Sequence, residues 1–116
     1  MVDDHLLADL FRRFADDRDW EQFHTPKNLA TAITVEAAEL LEIFQWSRGQ
    51  EGWSDLDDGT IRTRTEHELA DILLYLIRFA DLARIDLQRA AEAKMQLNAQ
   101  KYPTEKFKGS DKKYNE

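Results

Sequence analysis

Residues 26 to 49 read Pro26-Lys-Asn-Leu-Ala-Thr-Ala-Ile-Thr-Val-Glu-Ala-Ala-Glu-Leu-Leu-Glu-Ile-Phe-Gln-Trp-Ser-Arg-Gly49, with 22 residues between one proline and one glycine and neither type among them. A run of that length, rich in Ala, Leu, Glu and Ile, favours helix. Thr25 is placed to cap it, and Pro26 fits the first helical position, where no N–H is needed. The helix is expected to run to about Ser47. A second uninterrupted stretch of 43 residues lies between Gly59 and Pro103. It accommodates one helix from near Thr60 to about Arg84 and another from Leu87 to about Lys101, capped by Asp86. Upstream, Leu6, Leu7, Leu10, Phe11 and Phe14 recur at helical spacing and give a first helix over roughly Asp3 to Asp17. No segment alternates with a period of two, so the sequence predicts an all-α fold, a four-helix bundle. Residues 1–103 form its domain, and residues 104–116 a basic tail.

Composition narrows the chemistry. The 116 residues include no cysteine, which removes disulfides, thiolate nucleophiles and cysteine-ligated metals. Four scattered glycines cannot build a phosphate-cradling loop. The net charge of −7 argues against nucleic acid and anionic membranes as partners. No apolar run is long enough for a membrane span, and Met1-Val-Asp-Asp is not the start of a signal peptide. A soluble cytoplasmic protein is expected. The charge is uneven: residues 1–100 hold 20 acidic and 11 basic side chains, whereas the last 16 residues hold five lysines against three acids. The tail reads as a loose extension, or as a basic flap over an anion.

Four acids stand where apolar residues would be expected. On the second helix Ala32, Glu36, Glu39, Ile43 and Trp46 step by four and three, a single stripe. On the third, Glu68 and Asp71 interrupt a stripe that continues through Tyr75, Phe79 and Leu82. Glu42, Glu66 and Asp81 are read as plain surface. Burying unpaired carboxylates is costly, and neither Arg78 nor Arg48 can neutralise all four acids. A divalent cation can, and Mg²⁺ prefers such hard oxygen ligands, with Mn²⁺ as a substitute. The plain alternative is a pair of solvated acidic faces on a helical interaction module. Likewise Trp46 and Tyr75 could be core residues, and His24 a capping histidine. Glu21-x-x-His24 lacks the partner copy a di-iron site requires. Asp55-x-Asp57-Asp58-Gly59 lacks the register of a calcium loop.

Together, Phe23-His-Thr-Pro-Lys-Asn-Leu29, Glu36-Ala-Ala-Glu39 with its Phe44-Gln-Trp46 ending, Glu68-Leu-Ala-Asp71 with Tyr75, and Lys94-Met-x-x-Asn98 with Tyr102-Pro103 resemble the MazG-like nucleotide pyrophosphohydrolases. The dCTP pyrophosphatase branch is the most similar, and the resemblance spans roughly residues 10–103. It implies an all-α enzyme, assembled as a homodimer or as a tetramer of two dimers. Such an enzyme uses Mg²⁺ to split a nucleoside triphosphate into monophosphate and pyrophosphate. Carried over, Glu36, Glu39, Glu68 and Asp71 are the metal ligands. Trp20, His24, Trp46 and Tyr75 line the base pocket. Lys94 and Asn98, with Lys27, Asn28 and Tyr102, serve sugar and phosphates. Glu39 is favoured over Glu36 as the base acting on water, and Lys94 stabilises the departing pyrophosphate. Ala38 stands where that branch usually has glycine, which leaves dUTP, other dNTPs or phosphoribosyl-ATP as alternative substrates.

Overall fold

The computed structural model describes residues 1–49 and 52–113. Gln50 and Glu51 of the expected loop, and the last three residues of the tail, lie outside the described residues. Among those described, every regular element is helical. The chain divides into two compact units, Met1–Ala83 and a second beginning at Arg84.

The first unit holds α1 (Asp4–Asp17), α2 (Pro26–Ile43) and α3 (Gly59–Ala83). Each starts on a side-chain cap, which satisfies N–H groups that have no partner within the helix. Asp3 accepts from the Leu6 N–H at 3.0 Å, and Thr25 Oγ1 from the Asn28 N–H at 3.2 Å. Asp58 Oδ1 accepts from both Thr60 and Ile61, at 2.9 and 3.1 Å. A short 3₁₀ turn at Glu21–Phe23 leads into α2, and a longer one at Gly52–Asp57 packs on α3. The loop before α3 is therefore partly helical.

α2 ends four residues before Ser47. From Phe44 the backbone bonds shorten to three-residue steps: Phe44 N–H to Leu41 O, Gln45 to Glu42 and Ser47 to Phe44. The chain then leaves through Gly49 at φ +71°, a conformation glycine adopts without penalty.

α3 lies between the other two helices and packs most extensively on α2. His24, just before α2, bonds Arg78 late in α3, while Glu36 and Glu39 meet Glu68 early in α3. Numbers rise on one helix as they fall on the other, so α2 and α3 are antiparallel. On the opposite side Phe11 meets Tyr75 and Arg12 bonds Asp81, so α1 runs parallel to α3. The Arg12–Asp81 ion pair, at 2.8 Å, corrects the expectation that Asp81 is plain surface. Among the described residues the buried apolar side chains are Ala15, Leu29, Ile77 and Ala80. Much of the α1 stripe stays open, with Leu6 and Leu10 each more than half exposed.

The second unit contains α4 (Leu87–Lys101), capped by the Asp86 carboxylate on the Arg89 N–H at 3.0 Å, and a one-turn α5 (Thr104–Phe107). Tyr102 and Phe107 meet edge to face at 4.8 Å between ring centres. The start of the expected loose tail is thus a helical turn held by an aromatic pair.

Candidate active site

Three acids converge across the α2–α3 seam. Carboxylate oxygens of Glu36, Glu39 and Glu68 all lie within 4.8 Å of one another. Helix geometry brings them there: Glu36 and Glu39 are three residues apart and share a face, and the antiparallel partner supplies Glu68. The face is not quite the stripe expected from sequence. Ala32, Glu36, Leu40 and Ile43 are partly covered, whereas Glu39 and Trp46 are exposed. Glu36 and Glu68 sit at the packed centre and Glu39 at its open edge.

The electrostatics of this cluster are unfavourable for protein atoms alone. Glu36 Oε2 and Glu68 Oε2 are buried, and among the described residues no group donates to them. The Glu36 carboxyl is pushed up to about 8, first by Glu68, which would share its proton, then by burial and by Glu39. Two orphaned carboxylate oxygens beside a third acid fit a hard divalent cation. Asp71, the fourth expected ligand, lies one turn along α3 from Glu68. It lines the adjoining cavity, and its charge acts on Tyr75.

That cavity, of about 520 Å³, opens between α1 and α3, with walls that include Phe11, Phe14, Trp20, Leu74 and Tyr75. Trp20 meets Phe14 edge to face at 5.4 Å, and Phe11 meets Tyr75 at 5.9 Å. The Tyr75 hydroxyl is held above its ordinary range by burial and then by Glu36 and Asp71. One slot therefore combines flat apolar walls with an acidic rim, suited to an aromatic ring attached to a metal-bound anion. Phe11 and Phe14 were legible only as an apolar stripe. The signal for a cavity wall would have been aromatic residues three apart on a helix that also carries Leu7 and Leu10.

His24 stands beside this slot, its ring edge-on to Phe11 at 5.7 Å and to Trp20 at 6.4 Å. Its Nδ1 accepts from Arg78 Nε at 3.0 Å. Burial and then the Arg78 charge lower the imidazole pKa, and Glu21 opposes them. His24 itself lines a second cavity, of about 340 Å³, together with Glu21, Pro26, Leu29, Phe79 and Leu82, and touches the slot through the backs of its Phe11 and Trp20 walls. Arg78, only 1% exposed, was not among the residues expected at the site.

The remaining expected residues are more dispersed. Trp46 is 89% exposed beyond the end of α2 and lines neither cavity. Asn28 is occupied in the turn before α2, its side-chain amide donating to Phe23 O at 2.9 Å. Lys27 is exposed on the first turn of α2. Lys94 and Asn98 lie one turn apart on α4, and Tyr102 follows that helix, all in the second unit.

A sequence profile of the MazG-like family matches residues 31–116. Human dCTP pyrophosphatase 1 is 41% identical over 111 residues, covering 92% of this chain and 63% of the human protein. The Bos taurus dCTP pyrophosphatase 1 is 42% identical over 109 residues, 90% of this chain and 62% of its own length. This chain thus spans under two thirds of the length of either relative. The crystal structure of a pyrophosphatase from Archaeoglobus fulgidus DSM 4304 superposes with a TM-score of 0.79 at 45% identity, over 85% of this chain and 91% of that one. With its all-helical fold and its Glu-x-x-Glu and Glu-x-x-Asp segments on facing helices, the chain belongs to the MazG-like family.

Proposed function

We propose that this protein is a Mg²⁺-dependent nucleoside triphosphate pyrophosphohydrolase, converting dCTP or a modified dCTP to the monophosphate and pyrophosphate. The observation that carries this is the carboxylate cluster, with two buried oxygens that no protein donor reaches. The names of the mammalian relatives support the choice of dCTP.

Glu36, Glu39 and Glu68, with Asp71 beside them, would hold the metal. When bound, the cation neutralises phosphate charge and makes water more acidic. The α1–α3 slot holds the base between Phe11, Trp20 and Tyr75, where stacking fixes its plane. Glu39, at the open edge, takes the proton of the attacking water on a carboxylate oxygen. The water oxygen bonds the α-phosphorus as the bond to the bridging oxygen breaks and pyrophosphate leaves. Lys94 is assigned the charge on pyrophosphate, and Asn98, Lys27, Asn28 and Tyr102 sugar and phosphate contacts, through the family resemblance. Self-association into a dimer or tetramer belongs to the same proposal. It would cover Leu41, Trp46, Trp53 and Leu69, all more than half exposed. Among the described residues no helix is long and apolar enough to cross a membrane, and the cytoplasm is the compartment proposed for pool control.

The test is pyrophosphate release from a panel of canonical and modified dNTPs, with Mg²⁺ and with chelator. Metal-dependent release, fastest with dCTP or a modified dCTP, is expected. Silence across the panel overturns the assignment.

A further inference from the structure

A second group on α3 is short of partners. Arg78 is fully buried, yet its Nη2 has no hydrogen-bond partner, and among the described residues it makes no ion pair. Among the described residues its one side-chain hydrogen bond is the 3.0 Å contact from Nε to His24 Nδ1, and its guanidinium carbon lies 5.7 Å from the centre of the Phe11 ring. An interior cation without a carboxylate costs stability, and an unmade N–H bond adds to that cost. Packing alone would be served better by an apolar side chain of similar length.

The hydrogen bond has a chemical consequence. Arginine does not lose its proton and Nε–H can only donate, so Nδ1 of His24 must be the lone-pair nitrogen. A neutral imidazole in that position carries its proton on Nε2. The ring cannot turn over without breaking its bond to Arg78. The nitrogen opposite the buried guanidinium is therefore a donor of fixed sense, on a ring packed against the Phe11 and Trp20 walls of the aromatic slot.

We propose that Arg78 is a positioning residue for base selection, holding His24 as the Nε2–H tautomer so that this N–H reads an acceptor atom on the edge of the bound pyrimidine. The proposal rests on the nucleotide assignment above. Cytosine offers a lone pair at N3, whereas uracil carries N3–H. A donor that cannot invert and that faces position 3 of the ring bonds the first and meets a second N–H on the other. Aromatic walls tolerate either ring, so discrimination falls to this fixed donor.

The experiment has two readouts. Imidazole ¹⁵N spectra at neutral pH should show His24 with a protonated Nε2 and a bare Nδ1. Arg78→Met should bring the two tautomers toward a mixture, and Arg78→Lys, which retains a donor, should preserve more of the original signature. Kinetically, Arg78→Met should lower the preference in kcat/KM for dCTP over dUTP about tenfold, as expected for one lost hydrogen bond, with most of the change in KM. A merely structural arginine would alter stability and the tautomer and leave the dCTP preference alone. A folded Arg78→Met variant with wild-type preference overturns the proposal. If that variant does not fold, the wild-type spectrum still decides: a protonated Nδ1 overturns the proposal. A wild-type protein with the expected spectrum but no turnover of any triphosphate supports the pair and overturns the nucleotide assignment instead.

Discussion

The two ends of the α2–α3 seam carry opposite electrostatic deficits. At one end Glu36, Glu39 and Glu68 crowd three carboxylates together, with two oxygens lacking any donor. At the other, Arg78 is a buried cation that makes no ion pair among the described residues. Glu68 and Arg78 are ten residues apart on one helix, about 15 Å along its axis, so the two deficits do not cancel. Arg12 offers the contrast, bonding Asp9 and Asp81 at 2.7 and 2.8 Å on the α1–α3 side. The buried charges that lack a partner among the described residues are where we propose a ligand sits, metal and phosphate at one end and a base edge at the other.

This contrast is most sharply tested at the acidic end. Glu39→Gln should reduce turnover about 10²- to 10⁴-fold, the usual contribution of a positioned acid or base, while circular dichroism stays helical. Near wild-type rates in that variant would remove Glu39 from the chemistry. Next in size is the effect of metal on stability. Mg²⁺ at about a hundred times its dissociation constant should stabilise the fold by about 2.7 kcal/mol. That is a rise of several degrees in Tm, reversed by chelator and lost in Glu68→Gln. The same shift in Glu68→Gln would show that the cation binds elsewhere.

The two ends should also respond to pH with opposite sign. Glu36 is raised from 4.5 to about 8 without metal, so the folded state holds this proton more tightly than the unfolded chain. The resulting stability is complete below about 4.5 and is lost as pH rises through 8. His24 is lowered from 6.5, so its contribution is present above 6.5 and is lost as pH falls through the folded value. In chelator, Glu36→Gln should therefore remove a fall in Tm that spans about pH 4.5 to 8, and His24→Gln an opposing rise confined below pH 6.5. Between pH 6.5 and 8 only the Glu36 slope operates, and a His24→Gln variant that altered the slope there would break the separation of the two. The smallest effect is expected at the paired charge. Arg12→Ala should leave Tm nearly where it was, since an exposed pair in water contributes little. A large drop would mean that the α1–α3 ion pair holds the unit together.

Much of this was legible in the sequence because it depends on local rules. Thr25-Pro26 starts α2 and Asp86 caps α4 through side chains acting within a few residues. Helical spacing paired Glu36 with Glu39 and Glu68 with Asp71, and the antiparallel α2 and α3 bring the first three together. What escaped depends on neighbours distant in the chain. Arg78 reads as one of the few basic residues near the acid-bearing faces, and its buried place shows only once His24, 54 residues earlier, comes to lie against it. Phe11 could be seen to face inward, but not that it faces a cavity, because Tyr75 and Trp20 supply the other walls. Trp46 continues a stripe on paper. The tightening after Ile43 changes the angle per residue, and the stripe no longer predicts where that ring points. The one-turn α5 is too short for periodicity to register.

The unequal wetting of the three tryptophans gives the protein its own optical probes. Trp20, at 40% exposure, belongs to the aromatic slot, whereas Trp46 and Trp53, at 89% and 85%, stand in solvent. Their emission should be dominated by the long-wavelength light of hydrated indoles. A base stacking in the slot would quench the Trp20 fraction and spare the rest. Any surface that closes over Trp46 or Trp53 would instead shift the whole band to the blue. With Trp46→Phe and Trp53→Phe as references, one fluorimeter could follow substrate capture and assembly separately, in unlabelled protein.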